Sequence, residues 1–323
     1  MWKELEIMGV EDRVQLSSAD LERFFEEQLS EWQLAHDNFE ALHQVETRSF
    51  DAADFQVRVQ FNPTRIRSTA ARVDAASLGK RPCFLCPENR PEAQRALDFG
   101  PDYRVLVNPY PIFREHFTVP SAVHRNQTIY GRFTDMLELA RCFESQTVFY
   151  NGPKCGASAP DHAHFQMVLR RAMPIEQEVS THIGEAVYQR ENVRVYPLRN
   201  YWRGGVLIRS RSVASADSFF RTLYAEMASN SDPEEPMMNL LCWYEQGEWS
   251  ICVILRRKHR PDCFFWEGAD HLLVSPASVD LGGVIIVPQR EDFERITLDR
   301  IREIYEEVCW TEDAVEELVK RIK

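Results

Sequence analysis

The chain has 323 residues, of which 44% are apolar, with a formal charge of −12. That length and apolar share support a large buried core, or two moderate ones, and exclude a disordered chain. The net negative charge argues against extended nucleic acid as a partner, so a phosphate-bearing ligand needs a local cationic pocket.

The first element is helical. Ser17 and Asp20 give a capping signal, and Leu21, Phe24, Phe25, Leu29, Trp32, Ala35, Phe39 and Leu42 recur at spacings of three and four. Residues 55–61 alternate strictly and end at Asn62-Pro63, the pattern of a strand with one buried face. Strands are expected at 103–107 and 113–119, then a helix marked by Tyr130, Phe133, Met136, Leu137, Ala140 and Phe143, then strands at 147–150 and 162–169. A further helix falls near 217–227, followed by a loop at Ser231-Asp232-Pro233-Glu234-Glu235-Pro236. Runs 238–244 and 249–255 form a hairpin across Glu245-Gln246-Gly247-Glu248, with strands at 271–274 and 284–287 and helices to the C-terminus. Hairpin, strand, strand and helix thus recur in similar order, which implies an internal duplication. No membrane span or export signal is read, and eight cysteines scattered through apolar runs fit a reducing, cytoplasmic setting.

Chemistry concentrates in Asn151-Gly152-Pro153-Lys154-Cys155-Gly156-Ala157-Ser158-Ala159-Pro160-Asp161-His162-Ala163-His164-Phe165-Gln166. Turn-forming residues lead into a strand on which His162, His164 and Gln166 would share a face, about 6.5–7 Å apart. A neutral imidazole there can attack phosphorus while its other nitrogen is fixed by a backbone carbonyl. Gln166, Ser158 and the loop around Asn151 and Gly156 can donate to phosphoryl oxygens. An isolated H-x-H is equally compatible with incidental histidines. Cys83 and Cys86 are spaced C-x2-C, which fits a tetrahedral metal, a redox pair or two structural thiols. Arg65 and Arg67 follow a strand end, where a guanidinium can grip phosphate in bidentate fashion or lie solvated. Arg256-Arg257-Lys258-His259-Arg260 is either a basic solvated turn or a cationic wall.

These segments resemble the histidine-triad superfamily, in the branch of galactose-1-phosphate uridylyltransferases and dinucleoside-polyphosphate or GDP-hexose phosphorylases. The glycine- and serine-bearing loop before H-x-H-x-Q carries the likeness, which extends in outline from about 58 to 301. It implies an α+β fold of two histidine-triad-like halves, each an antiparallel sheet with packed helices: residues 1–172 with the N-terminal helix, zinc site and catalytic half, and 173–323 a degenerate second half. The second histidine, His164, becomes the nucleophile of a covalent nucleotidyl-histidine, with Gln166 and Ser158 beside it. Structural zinc falls to Cys83, Cys86, His124 and His162, with His116 the competing fourth ligand. Arg65, Asn108, Asn151, Gly156, Arg67 and Lys258 are implied substrate contacts. The implied activity is nucleotidyl transfer or phosphorolysis on a nucleoside diphosphate-sugar or dinucleoside polyphosphate, with phosphate or a sugar phosphate as acceptor. Hydrolysis and silent nucleotide binding are the rival readings. Nucleic acid and membrane are not expected partners, and the chain is expected as a monomer or homodimer. The triad reads His-Ala-His-Phe-Gln where the uridylyltransferases are proline-rich, and no second H-x-H follows, so base and sugar stay open.

Overall fold

In the computed structural model, which describes residues 16–66, 81–228 and 235–322, two helices open the chain, α1 (Ser18–Glu31) and α2 (Gln33–Glu40). Ser17 and Asp20 form the expected capping box. The single helix read from the sequence is broken at Trp32, which takes an extended conformation and is buried. Strands β1 (Glu46–Ala52) and β2 (Phe55–Phe61) follow as an antiparallel pair. The first half continues with β3 (Leu97–Phe99), β4 (Tyr103–Val107), β5 (His116–Pro120), α3 (Phe133–Cys142), β6 (Gln146–Asn151) and β7 (His164–Leu169). Beyond the short helix α4 (Ile175–Glu178) come β8 (Tyr188–Arg190), β9 (Val193–Pro197), β10 (Gly205–Ser210), α5 (Val213–Ala228), β11 (Met238–Glu245) and β12 (Glu248–Leu255). The chain closes with α6 (Ser278–Leu281), β13 (Val284–Val287), α7 (Arg290–Arg295), α8 (Leu298–Val308) and α9 (Glu312–Arg321).

Ten strands form one antiparallel sheet in the order β3-β4-β5-β7-β6-β11-β12-β10-β9-β8. Read outward from the β6–β11 seam, the two halves have the same connectivity: three strands, a helix, then two strands with the last inserted beside the third. This is the topology of an internal duplication, and the halves share one sheet rather than forming two. At the seam Asn239 pairs with Asn151 and Leu241 with Phe149. The related helices α3 and α5 meet through Phe133 and Phe220, stacked at 4.0 Å between centroids, where both rings are buried in the shared core.

Alternation sorts the side chains onto two cores. Phe165 and Met167 of β7 join the core under α1, α3, α5 and α9, whereas Val168 joins the core on the opposite face. That second face is covered by a small sheet in which β13 pairs in parallel with β2, together with α8. His164 and Gln166, in step with Val168, therefore project toward the layer where β2 meets β13.

Two further expectations need correction. Residues 271–274 are not a strand: Leu272 donates to Cys263 O, Leu273 to the Asp292 carboxylate and Val274 to Leu272 O, so their donors are used in turns and a side-chain contact. His162 lies before β7 in a turn closed by its N–H on Ala159 O, so the three polar residues do not form one strand face. Of the loop at 231–236, only 235–236 fall within the described residues. Among the described residues, no helix is long and apolar enough to cross a membrane.

Candidate active site and metal centre

The loop 152–163 is shaped by its small residues. Gly156 sits at φ +93, and a Cβ there would lie 2.5 Å from Ala277 Cβ, so glycine is required both by conformation and by the close approach of the second half. The loop is stitched in place by amides. Asn151 Oδ1 accepts from Ser278 N at 2.8 Å and from Asn239 Nδ2 at 2.9 Å, and Asn239 Nδ2 also donates to Cys155 O at 2.9 Å.

The loop delivers the chain to His164, whose Nδ1 is 2.8 Å from His162 O. A carbonyl can only accept, so Nδ1 carries the proton and Nε2 keeps its lone pair. Burial pushes the ring down to about 4, which keeps it neutral at physiological pH. Gln127 clamps the backbone of the same residue: its Oε1 accepts from His164 N at 2.8 Å, while its Nε2 donates to His164 O at 3.0 Å and to Asn151 O at 2.9 Å. The β6–β7 ladder ends at Phe149 and Gln166, and this carboxamide supplies the bonds that the parting strands give up.

Around His164 lies a cavity of about 650 Å3, a volume in the range of small-molecule sites. Its lining includes the expected Arg65, Asn108, Asn151, Gly156, Ser158 and Gln166, with apolar contributions from Trp32, Leu34, Phe84, Leu85, Tyr110 and Ile112. Arg65 is half-buried, and its desolvation against the cavity wall lowers the guanidinium to about 10, with Asp280 as its opposing charge. Asp280 accepts from Ala277 N and Ile286 N at 2.9 and 3.0 Å, and burial nevertheless raises it to about 6. Arg67 lies outside the described residues.

The cationic run is divided by its surroundings. Arg256 is buried and donates to Asn239 Oδ1, Pro276 O, Lys258 O, His259 O and Val308 O, so it is a strut between loops. Lys258, expected at the substrate, is absent from the cavity lining because its ammonium is ion-paired with Asp262 and Glu307. The next two residues, His259 and Arg260, line the cavity instead. His259 is pushed down to about 4 by burial and by Arg260 and Arg256, so it is a neutral ring rather than a cation. Sequence reasoning missed Gln127, Arg81, Asp280, Ser275 and Trp32. Trp32 was read only as part of the apolar helical stripe, and the others sit in no spaced motif, with Arg81, two residues before Cys83, nearest to a local signal.

Cys83, Cys86, His124 and His162 come together, their ligand atoms all within 4.8 Å of one another. Cys83 Sγ is 3.2 Å and Cys86 Sγ 3.6 Å from His162 Nδ1, and Cys86 Sγ is 3.1 Å from His124 Nδ1. Tetrahedral zinc with ordinary Zn–S and Zn–N bonds puts such atoms about 3.5 Å apart, so the donor set and spacing fit zinc. His162 Nε2 donates to Ser121 O at 2.9 Å, which leaves Nδ1 for a metal. Without a cation, burial and the adjacent Cys83 raise the Cys86 thiol to about 11. His116 is not part of the cluster: its ring bonds to Gln166 and to the backbone of Ile112.

A family model described as a domain of unknown function, DUF4922, matches residues 24–169, and one described as GDPGP1-like, C-terminal domain, matches 174–323. No curated protein is matched. Yeast Ap4A phosphorylase Apa2 in complex with AMP is similar in structure, with TM-score 0.54 and 17% identity over 87% of this chain and 96% of that one. The same enzyme in complex with Ap4A gives TM-score 0.53 and 17% identity over 86% and 96%. At that identity the likeness is one of fold.

Proposed function

Because the chain has the fold of the histidine-triad superfamily, in the branch of the uridylyltransferases and dinucleoside-polyphosphate phosphorylases, we propose that it is a nucleotidyltransferase or phosphorylase working through a covalent nucleotidyl-histidine at His164. The observation that carries this reading is the tethering of His164 Nδ1 to His162 O, which leaves Nε2 the lone-pair nitrogen of a ring lining a nucleotide-sized cavity. Relatives of the same fold are Ap4A phosphorylase bound to AMP and to Ap4A, which supports a nucleoside diphosphate-sugar or dinucleoside polyphosphate as donor.

In the first half-reaction a bond forms from Nε2 to the α-phosphorus, and the bond to the bridging oxygen breaks, its electron pair leaving with the departing phosphate. The ring then bears positive charge, which the His162 carbonyl stabilises through the proton on Nδ1. In the second, an oxygen of an acceptor phosphate attacks the same phosphorus and Nε2 departs with its electron pair. Ser158, Gln166 and Arg65 donate to the equatorial oxygens as charge develops on them, and Asn108, Asn151 and Gly156 shape the pocket. Cys83, Cys86, His124 and His162 would hold zinc, which supplies a structural cross-link when bound. The half 1–172 carries the chemistry, and 173–323 closes the cavity with His259, Arg260 and Asp280.

Incubation with a panel of nucleoside diphosphate-sugars and dinucleoside polyphosphates should give an acid-labile mass adduct that is lost in His164→Ala. Release that depends on added phosphate distinguishes phosphorolysis from hydrolysis. Absence of any adduct across the panel would overturn the reading.

A further inference from the structure

His116 is fully buried, titratable and outside the metal cluster. Its surroundings determine which nitrogen holds its proton. The segment 108–113 reads Asn-Pro-Tyr-Pro-Ile-Phe, and its two prolines have no N–H, so over 109–112 only Tyr110 and Ile112 carry backbone donors. Tyr110 N donates to Asn108 Oδ1 at 3.0 Å, and Ile112 N to His116 Nδ1 at 3.3 Å. A peptide N–H can only donate, so Nδ1 is the lone-pair nitrogen and, in a neutral ring, the proton is on Nε2. Burial and the nearby Arg65 disfavour a second proton, which keeps the ring neutral. Nε2 lies 2.8 Å from the Gln166 carboxamide, so the atom facing it must be an acceptor, Oε1, while Asn108 Nδ2, 3.5 Å from the same nitrogen, has its acceptor in Thr118 Oγ1 at 3.2 Å.

The two ends of a carboxamide have the same shape, and shape alone does not decide which one enters the cavity. We propose that His116 is a positioning residue that fixes the polarity of the Gln166 carboxamide, so that its NH2 end and not its oxygen meets the substrate's phosphoryl oxygens. With the amide reversed, a carbonyl oxygen would oppose a phosphoryl oxygen and the donor would be lost. What the amide meets rests on the nucleotidyl-histidine reading; which way it points does not.

The tautomer is measured directly in the native chain by long-range 1H–15N correlation with 15N-labelled histidine, the His116 signal being assigned by its shift in Gln166→Ala. The Nε2–H form is expected, and an Nδ1–H form overturns the proposal whether or not the chain is active. In single-turnover adduct formation His116→Phe should slow the reaction by about 100-fold, the scale of one lost oxyanion donor, with nucleotide affinity little changed. In a Gln166→Ala background the same change should add nothing, because the amide it orients is gone. Full additivity of the two losses overturns the proposal. A native chain that forms no adduct sinks nucleotidyl transfer instead, and the tautomer then decides the role of His116.

Discussion

The carboxamide of Gln127 holds both backbone polar groups of His164, accepting from its N–H at 2.8 Å and donating to its carbonyl at 3.0 Å. Gln127 sits three residues after His124 on the loop that also supplies the Ser121 carbonyl to His162. One loop thus touches the Cys83, Cys86, His124 and His162 cluster and the strand that carries His164.

Gln127→Leu strands three buried groups, on His164 and Asn151, without partners. A loss of about 2–4 kcal/mol is expected from urea denaturation, together with slower adduct formation. Wild-type rates in a folded Gln127→Leu chain would refute a positioning role.

Elemental analysis should find one zinc per chain. Cys83→Ser and His162→Ala should reduce it to a small fraction, and His124→Ala, at the exposed corner of the cluster, should weaken retention against a chelator. His116→Phe should keep the metal, since its ring bonds elsewhere. Loss of zinc in His116→Phe with retention in His124→Ala would invert the assignment.

Stability should fall in acid. His116 and His259 are held at about 3 and about 4 in the folded chain, below the ordinary 6.5, so between those values the unfolded chain takes up protons that the folded chain refuses. Their contribution is full above 6.5 and is lost as pH falls, through about 4 for His259 and about 3 for His116. Asp280, raised to about 6, works in the opposite sense: its contribution is present below 3.8 and is lost as pH rises through 6. Relative to the native chain, His259→Gln should flatten the dependence of unfolding free energy on pH between 4.5 and 6 by about 1.4 kcal/mol per pH unit, one proton's worth. Asp280→Asn should steepen it. Parallel curves for all three chains would contradict these burial effects.

Gly156→Ala combines a left-handed backbone with a Cβ 2.5 Å from Ala277. A destabilisation of about 1–3 kcal/mol is expected, with weaker nucleotide binding because the loop must move off the second half. Gly247→Ala, where nothing lies within 4 Å of the added carbon, serves as the control for backbone strain alone.

The candidate site residues were legible because their chemistry is written in short motifs, the turn-rich loop before H-x-H-x-Q and the C-x2-C pair, while the alternating run that became β2 and the apolar runs that became β11 and β12 gave the strands around them. The expectation of His162 on the strand failed because alternation cannot show that the chain turns at 159–162 to reach the cysteines. The break at Trp32 leaves the helical period intact, so it has no signature in spacing. Gln127 belongs to an irregular segment whose meaning depends on two strands parting beside it. Lys258 and His259 are neighbours with opposite fates: Arg256 holds the main chain of both, and carboxylates at 262 and 307 hold the Lys258 ammonium away from the cavity that His259 lines.

Where β6 and β7 are joined by residues 152–163, their counterparts β11 and β12 are joined by Gln246 and Gly247 alone, both with positive φ, as a two-residue hairpin turn demands. The later copy thus lacks a counterpart of the loop that carries Gly156, Ser158 and His162, and its inner edge is committed to β6. Severing the polypeptide between the copies would bare two long apolar edges at once, an invitation to aggregate. Kinship of the two parts therefore does not make them separable: one contributes His164 and its loop to the cavity, the other contributes His259, Arg260 and Asp280 to its wall and pairs β11 with β6, and they stand or fall as a unit.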